Sequence, residues 1–182
     1  TAPPEPLQRR RHPGNGIVMT EKKTAPPPQN PPHVLMVEAR FYEDISDEMR
    51  RGAIAALEAA EASYESITVP GALEIPAAIR YAVEAKGGVS GEGRPIDGYV
   101  VLGCVIRGKT SHYDIVCGEC SRGIMDLAQE FTLAVGFGLL TVENLDQAWA
   151  RAAVDKGDQG ARAARACLHM IRLKRDFQLY PR

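Results

Sequence analysis

The sequence predicts an α/β fold in which a four-stranded parallel sheet lies between two layers of helices. Two observations support this prediction. Short apolar runs rich in β-branched residues alternate with longer segments in which apolar residues recur at helical spacing. Alternation at this spacing favours right-handed βαβ crossovers, which produce a parallel sheet covered on both faces. The expected architecture is therefore a flavodoxin-like three-layer α/β/α sandwich.

Each element has its own signal in the sequence. The apolar runs predict strands at residues 34–39, 66–69, 99–105 and 134–140. Amphipathic periodicity predicts helices at residues 45–63, 74–85, 112–130 and 159–174, with a further helix beginning near residue 144. Pro76 is compatible with its helix because it falls in the first turn, and Asn144 with Gln147 three residues later is typical of a helix start.

Length and composition indicate one globular domain. The chain has 182 residues, of which 45% are hydrophobic and 25% charged, and its formal net charge is -1. Such a charge gives no electrostatic reason to expect nucleic acid or an anionic membrane as a partner. Because no apolar run approaches the roughly 20 residues that span a bilayer, and no secretory signal is evident, we expect a cytoplasmic protein.

The domain is expected to occupy residues 34–182. Residues 1–33 hold nine prolines and the basic cluster Arg9, Arg10 and Arg11, with few residues that could build a core. This composition predicts a disordered, proline-rich tail. The arginines could instead contact phosphate or nucleic acid, but a solvated charge run is the simpler interpretation.

The loop after the third predicted strand carries the strongest chemical signal. In parallel sheets ligands bind where strands lead into helices, and here the loop contains Gly108, Lys109 and Thr110. Backbone amides at a helix start, with a lysine and a hydroxyl beside them, form a natural anion site. His112 follows and could transfer protons, although it could equally cap the helix or pack in the core. The loop lacks the spacing of a Walker motif.

Four other residues near strand ends or helices have two interpretations each. Phe41 could stack on a planar ligand or cover the core, and Phe137, within a strand, is more typical of the core. Glu74 could accept hydrogen bonds from a ligand or complement a helix N-terminus. Arg151 could bind phosphate or form a surface salt bridge.

The cysteines are interpreted as reduced thiols. Cys104, Cys117, Cys120 and Cys167 are too few and too irregularly spaced for a disulfide framework. Cys117 and Cys120 form a C-x-x-C pair, but it has no second pair and no histidine at zinc-finger spacing, and it falls inside a predicted helix. Packing is therefore the expected role of both, and no metal site is predicted.

Together these stretches resemble the 6,7-dimethyl-8-ribityllumazine synthase family. The resemblance spans residues 34–177 and rests on four stretches that occur in the family's order: ARFYEDI from Ala39, VPGALEIP from Val69, LGCVIRGKTSHYDIV from Leu102 and FGLLTVENLDQAWARA from Phe137. The resemblance does not cover the proline-rich tail.

The resemblance implies a reaction of riboflavin biosynthesis. The family condenses 5-amino-6-(D-ribitylamino)uracil with 3,4-dihydroxy-2-butanone 4-phosphate to give 6,7-dimethyl-8-ribityllumazine, phosphate and water. It also implies that neither cofactor nor metal takes part, that the partners are small-molecule substrates, and that the chain forms a homo-oligomer, a pentamer or a multiple of it. Pentamers of the family can assemble into icosahedral cages.

The resemblance also implies roles for residues at matching positions. His112 matches the proton donor, and Phe41 would stack on the pyrimidine. Residues implied to hold the pyrimidine and the ribityl chain are Ala72, Leu73, Glu74, Cys104, Val105 and Ile106. Residues implied to bind the phosphate are Lys109, Thr110 and Arg151, while Phe137 would come from the adjoining subunit.

Two features depart from the family pattern. Asp158-Gln159-Gly160 stands where the family often has Asn-Lys-Gly, so Gln159 replaces the lysine and the nearest lysine, Lys156, comes slightly earlier. The loop at residues 87–95 is long and rich in glycine. Two alternatives to the enzyme are a flavin or lumazine binding protein that has lost catalysis and a shell-forming protein. The presence of His112 and Arg151 favours the enzyme over the binding protein, and a shell-forming role is compatible with catalysis.

Overall fold

The structure is a computed structural model that describes residues 30–85 and 94–179. Residues 1–29 of the predicted tail and residues 87–93 of the predicted glycine-rich loop lie outside the described residues. The strands are β1 (His33–Ala39), β2 (Ser63–Val69), β3 (Gly98–Ile106) and β4 (Val135–Val142). The helices are α1 (Glu43–Ala59), α2 (Ile75–Glu84), α3 (His112–Glu130), α4 (Leu145–Ala152) and α5 (Gln159–Asp176).

All the strand pairs are parallel, in the order β2-β1-β3-β4. Ala39, the last residue of β1, lies opposite Val69 of β2 and Gly103 of β3, so the carboxyl ends of these strands meet at one edge. The chain leaves β1 toward β2 on one side and returns to β3 on the other. This reversal opens a crevice between β1 and β3, where α/β proteins bind their ligands.

Each face of the sheet is covered by helices, which confirms the predicted three-layer α/β/α fold. Helices α1, α4 and α5 cover one face, on which Met36, Met49 and Leu102 are fully or almost fully buried. Helices α2 and α3 cover the other face, with Leu35, Ile79 and Ile124 in its core. Both faces of the sheet are therefore buried from solvent, which explains the almost continuous apolar runs of β1 and β3.

Most element boundaries agree with the sequence prediction, and the main difference lies between α1 and β2. The predicted first helix continued to residue 63, whereas α1 ends at Ala59 and β2 already begins at Ser63. Glu61 adopts a left-handed backbone conformation with φ of 55°, and the amide of Ala62 donates to the oxygen of Leu57. A non-glycine residue at this turn gives no sequence signal, so the early end of the helix was not predictable.

Helix starts follow the sequence signals. The side-chain oxygen of Asn144 accepts a hydrogen bond from the amide of Gln147 at 3.0 Å, which confirms the predicted cap of α4. Pro76 lies in the first turn of α2, as expected. Asp158 caps α5 by accepting from the amide of Ala161 at 3.3 Å, and it does so in the left-handed conformation.

Helices α1 and α5 cross at very short distance. A Cβ atom on Gly160 would lie 1.9 Å from the backbone oxygen of Met49, so only glycine fits this position. The neighbouring small residues Ala161 and Ala164 are also buried. This crossing holds the last helix against the sheet, since a larger side chain would separate the two backbones.

We predict that Gly160→Ala lowers the free energy of unfolding by about 2–3 kcal/mol, because the added methyl group overpacks a backbone contact. Urea denaturation at one protein concentration measures this loss. Gly118→Ala is the matched control, since a Cβ on this helical glycine meets nothing within 4 Å. An unchanged midpoint for Gly160→Ala would contradict the close crossing.

Candidate active site

A cavity of about 430 Å³ opens at the carboxyl edge of the sheet. It is bounded by the ends of β1, β2 and β3 and by the start of α3, which is where the strand order predicts a ligand. Its lining residues are Ala39, Phe41, Tyr42, Pro70, Gly71, Ala72, Leu73, Glu74, Cys104, Val105, Ile106, Gly108, Thr110, His112, Tyr113 and Val116.

Phe41 forms an aromatic wall of the cavity after β1. Its side chain is 72% exposed, so the alternative of a core residue does not apply. The ring meets Tyr42 edge to face, with 5.0 Å between the ring centroids. An exposed aromatic ring held in this way offers a face on which a planar ligand can stack.

The turn after β2 lines another side of the cavity. Ala72–Glu74 form a short 3-10 helix, in which Ala72 is buried while Leu73 and Glu74 are exposed. Glu74 is the N-cap residue of α2, yet its side chain makes no capping hydrogen bond. Glu74 lines the cavity, so its carboxylate is available to accept hydrogen bonds from a ligand.

The start of α3 has the features of an anion site. Ser111 is the N-cap residue and makes no side-chain capping bond, while the hydroxyl oxygen of Thr110 accepts from the amide of His112 at 3.4 Å. Gly108, Thr110 and His112 all line the cavity. The positive end of a 19-residue helix therefore meets the cavity beside a hydroxyl and an imidazole. His112 is exposed, which excludes a role in the core.

Arg107 anchors this loop instead of lining the cavity. It donates to Asp114 at 3.1 and 3.3 Å and lies 2.9 Å from Glu143, and its guanidinium stacks over Tyr113 at 4.0 Å. These hydrogen bonds, chiefly the one with Asp114, raise the pKa of Arg107 above its ordinary value. The arginine therefore ties the loop to both α3 and the end of β4, and its charge is balanced by carboxylates.

Three of the predicted site residues do not line the cavity: Lys109, Phe137 and Arg151. Lys109 is exposed within the loop. Phe137 lies near the start of the edge strand β4 and is 37% exposed, which does not fit the interpretation as a core residue. Arg151 lies on α4 and donates to the backbone oxygen of Gln147 at 2.9 Å. One chain therefore brings together only part of the predicted set.

The predicted set of site residues lacks several lining residues: Ala39, Tyr42, Pro70, Gly71, Tyr113 and Val116. Three of them, Tyr42, Gly71 and Tyr113, directly neighbour a predicted site residue, and all six lie at a strand end or in the first turns of α3. The rule that ligands bind at strand ends could have identified them as a group. Their individual contributions depend on side-chain direction, which the sequence pattern does not give.

Three of the four cysteines, Cys104, Cys120 and Cys167, are buried, and Cys117 is partly buried. All four cysteines are free, and Cys117 and Cys120 lie within α3 as expected. Burial raises the pKa of Cys104 to about 11 and that of Cys120 and Cys167 to about 12. Among the described residues, no group of histidine, cysteine and carboxylate side chains could hold a metal ion.

Comparison with known proteins gives the family. The family model for 6,7-dimethyl-8-ribityllumazine synthase matches residues 31–175. The chain belongs to this family. A 6,7-dimethyl-8-ribityllumazine synthase of Bartonella tribocorum is 57% identical over 146 residues, which cover 80% of this chain and 92% of that protein.

Other relatives in the same family agree. A 6,7-dimethyl-8-ribityllumazine synthase 1 of Rhizobium meliloti is 57% identical over 144 residues, covering 79% of this chain and 92% of that protein. A 6,7-dimethyl-8-ribityllumazine synthase of Azorhizobium caulinodans is 52% identical over 161 residues, covering 87% and 98%. The chain is therefore a transferase of riboflavin biosynthesis that catalyses the condensation expected from its sequence.

We predict that alkaline pH destabilises the fold through the buried thiols. Their pKa values are raised by folding, so their contribution is complete below the pKa of an unfolded cysteine, about 8.5, and is lost as the pH rises toward about 12. Each such thiol steepens the fall in unfolding free energy by about 1.4 kcal/mol per pH unit within this window. Urea denaturation at several pH values measures the slope.

Cys167→Ala is the informative variant, because Cys167 is fully buried and distant from the cavity. It should show a shallower fall than the parent protein between about pH 9 and pH 10, where other titrating groups contribute equally to both chains. Identical slopes for the two proteins would show that this thiol does not resist ionisation in the folded state.

Proposed function

We propose that the cavity at the carboxyl edge of the sheet is the active site of this condensation and that His112 moves the protons. One observation supports this most strongly: His112, the open start of α3 and the exposed ring of Phe41 all line the same cavity of about 430 Å³. A proton-transfer group, an anion site and a stacking surface are the three elements that joining an aminouracil to a phosphorylated ketone needs.

The uracil substrate would occupy the side of the cavity next to β1 and β3. Phe41 would stack on the pyrimidine ring, which offers a planar face. The turn Ala72–Glu74 and residues 104–106 would hold the ring edge and the ribityl chain, with Glu74 accepting hydrogen bonds. The mixture of apolar walls and few polar groups is typical of small-molecule sites.

The phosphate of the ketone would bind at the start of α3. Thr110 would donate its hydroxyl, and Lys109 and Arg151 would contribute positive charge. Gln159 at the start of α5 is neutral and adds no positive charge. The negative charge of the phosphate would therefore be stabilised by Lys109, Arg151 and the backbone amides of α3. A bound anion there becomes a better leaving group when its developing charge is stabilised in this way.

The chemistry follows from this placement. The 5-amino group of the uracil attacks the ketone, and loss of water gives an imine. Phosphate then leaves, and attack of the ribitylamino nitrogen closes the ring with loss of a second water. Each step moves a proton to or from nitrogen or oxygen, so a single imidazole that alternates between acid and base serves all of them.

We infer that the site is completed by a second copy of the chain in a homo-oligomer, a pentamer or a multiple of it. Lys109, Phe137 and Arg151 do not line the cavity of their own chain, although each suits a role in the site. Large apolar side chains are exposed on α2 and α3, with Tyr81 at 72%, Ile115 at 55% and Met125 at 52%. Apolar exposure of this extent on neighbouring helices favours contact with another copy.

The remaining parts of the proposal concern location and partners. We expect small-molecule substrates as the only ligands, no contact with nucleic acid or membranes, and a cytoplasmic location. The formal net charge of -1 gives no electrostatic attraction to nucleic acid or to an anionic membrane. Among the described residues, no helix has the length and apolar character that crossing a bilayer requires.

We predict that His112→Ala lowers kcat by about 100-fold, because proton transfer is lost, while both KM values change by less than about threefold. The absorbance of the lumazine product measures the rate against the uncatalysed reaction. His169→Ala, at an exposed histidine of α5, should keep full activity. Full activity of His112→Ala would show that this residue does not transfer protons in the reaction. A parent protein that binds lumazine without accelerating its formation would indicate a binding protein.

A further inference from the structure

A buried carboxylate lies at the end of β1, close to the loop that carries Phe41. Glu38 is the penultimate residue of the strand and only 1% exposed, in a strand whose other members include Val34, Met36 and Val37. Its Oε2 atom is buried and accepts no hydrogen bond within the described part of the chain. Burying an ionised carboxylate costs more than burying an apolar side chain of similar size. Stability alone therefore does not account for a glutamate here.

Two arginines neutralise this carboxylate from different directions. Arg50 of α1 donates to Oε1 of Glu38 and, at 2.9 Å, to the hydroxyl of Ser66 on β2. Arg40, two residues after Glu38, lies 3.6 Å from Oε2. A second carboxylate, Asp47 of α1, accepts from Arg40 at 2.5 Å, and this hydrogen bond raises the pKa of Arg40. The cluster therefore fixes Arg40 between a strand and a helix.

This arrangement restrains the backbone on both sides of Phe41. Arg40, immediately before it, is held by Glu38 and Asp47. Tyr42, immediately after it, has its backbone oxygen bonded to the hydroxyl of Ser46 at 2.9 Å. The Phe41 ring itself is 72% exposed and packs edge to face on Tyr42, so the core does not orient it. Its direction over the cavity depends on the two restrained neighbours.

We propose that Glu38 is a positioning residue for the uracil substrate: through Arg40 it fixes the loop that presents Phe41 to the pyrimidine ring. The inference rests on the proposed function of the cavity and extends it to a residue that lines no part of it. Glu38 touches neither substrate. Its effect is to keep the aromatic face in place before the uracil arrives, which reduces the entropy lost on binding.

The test compares Glu38→Gln and Asp47→Asn with the parent protein, since each weakens one of the two ion pairs that hold Arg40. Both should raise the KM for the uracil about fivefold to tenfold, while kcat and the KM for the phosphorylated ketone stay within about twofold. Calorimetric binding of the uracil alone should weaken by the same factor. A loss of thermal stability with unchanged uracil binding in both variants would mean a purely structural role and would overturn the proposal.

Asp126→Asn is the matched control. Asp126 accepts from Arg122 at 2.5 Å and its side chain is 59% exposed, whereas Asp47 accepts from Arg40 at the same distance and is 65% exposed. The two pairs are therefore alike in length and in the exposure of the carboxylate, whereas Arg40 is 27% exposed and Arg122 62%. Only the pair of Arg40 adjoins Phe41. We expect no change in either KM for the control. An equal rise in the uracil KM would show that loss of any such pair has this effect.

A double-mutant cycle decides whether Glu38 acts through Phe41. In a Phe41→Ala background, adding Glu38→Gln should leave the uracil KM within about twofold, because the ring to be positioned is absent. A full additional rise would contradict the route through Phe41. Failure of the underlying function is distinguishable: a parent protein that binds neither substrate overturns the active-site proposal, whereas an active parent with an unaffected Glu38→Gln variant overturns only the positioning role.

Discussion

The parallel pairing of β1 with β3 is the constraint on which the cavity depends. It joins two strands that are not consecutive in the chain, and it sets Ala39 opposite Gly103. The loops that follow these residues therefore leave the sheet side by side, one with Phe41 and the other with Thr110 and His112. A one-residue shift of register would turn every side chain of β1 to the opposite face of the sheet, where it would meet a different set of helices, so side-chain packing specifies the pairing.

Ion pairs fix the loops on both sides of this crevice. Arg40 holds the loop after β1 to α1, and Arg107 holds the loop after β3 to Asp114 and Glu143. Both arginines are close to the site, yet their charges are balanced by carboxylates. The pairs with the exposed carboxylates Asp47, Asp114 and Glu143 add little to stability. Their value here is geometric, since they determine where neighbouring side chains lie.

The sequence predicts the fold well because burial on both faces leaves long apolar runs in β1 and β3. It predicts β2 less well, because this edge strand is half exposed and contains polar residues. Ser63 and Glu65 at its start interrupt the apolar pattern that indicates a strand. The early end of α1 escaped prediction because the turn at Glu61 uses a left-handed residue other than glycine.

The candidate site likewise contains residues that the sequence predicts and residues that it does not. Residues at strand ends were predictable from topology, and Phe41, Glu74, Thr110 and His112 all line the cavity as expected. Phe137 shows the limit, because strand periodicity cannot distinguish a core residue from one on the exposed part of an edge strand. The ion cluster around Glu38 was also invisible, since its partners come from separate elements.

Co-expression of His112→Ala and Arg151→Ala chains with different tags tests most directly the claim that two copies complete one site. Each variant alone should be nearly inactive. In mixed oligomers an interface can unite an intact His112 from one copy with an intact Arg151 from the next, so about a quarter of the parent activity should return at equal amounts. Mixed oligomers with no more activity than the separate variants would contradict the account and place both residues in one chain's site.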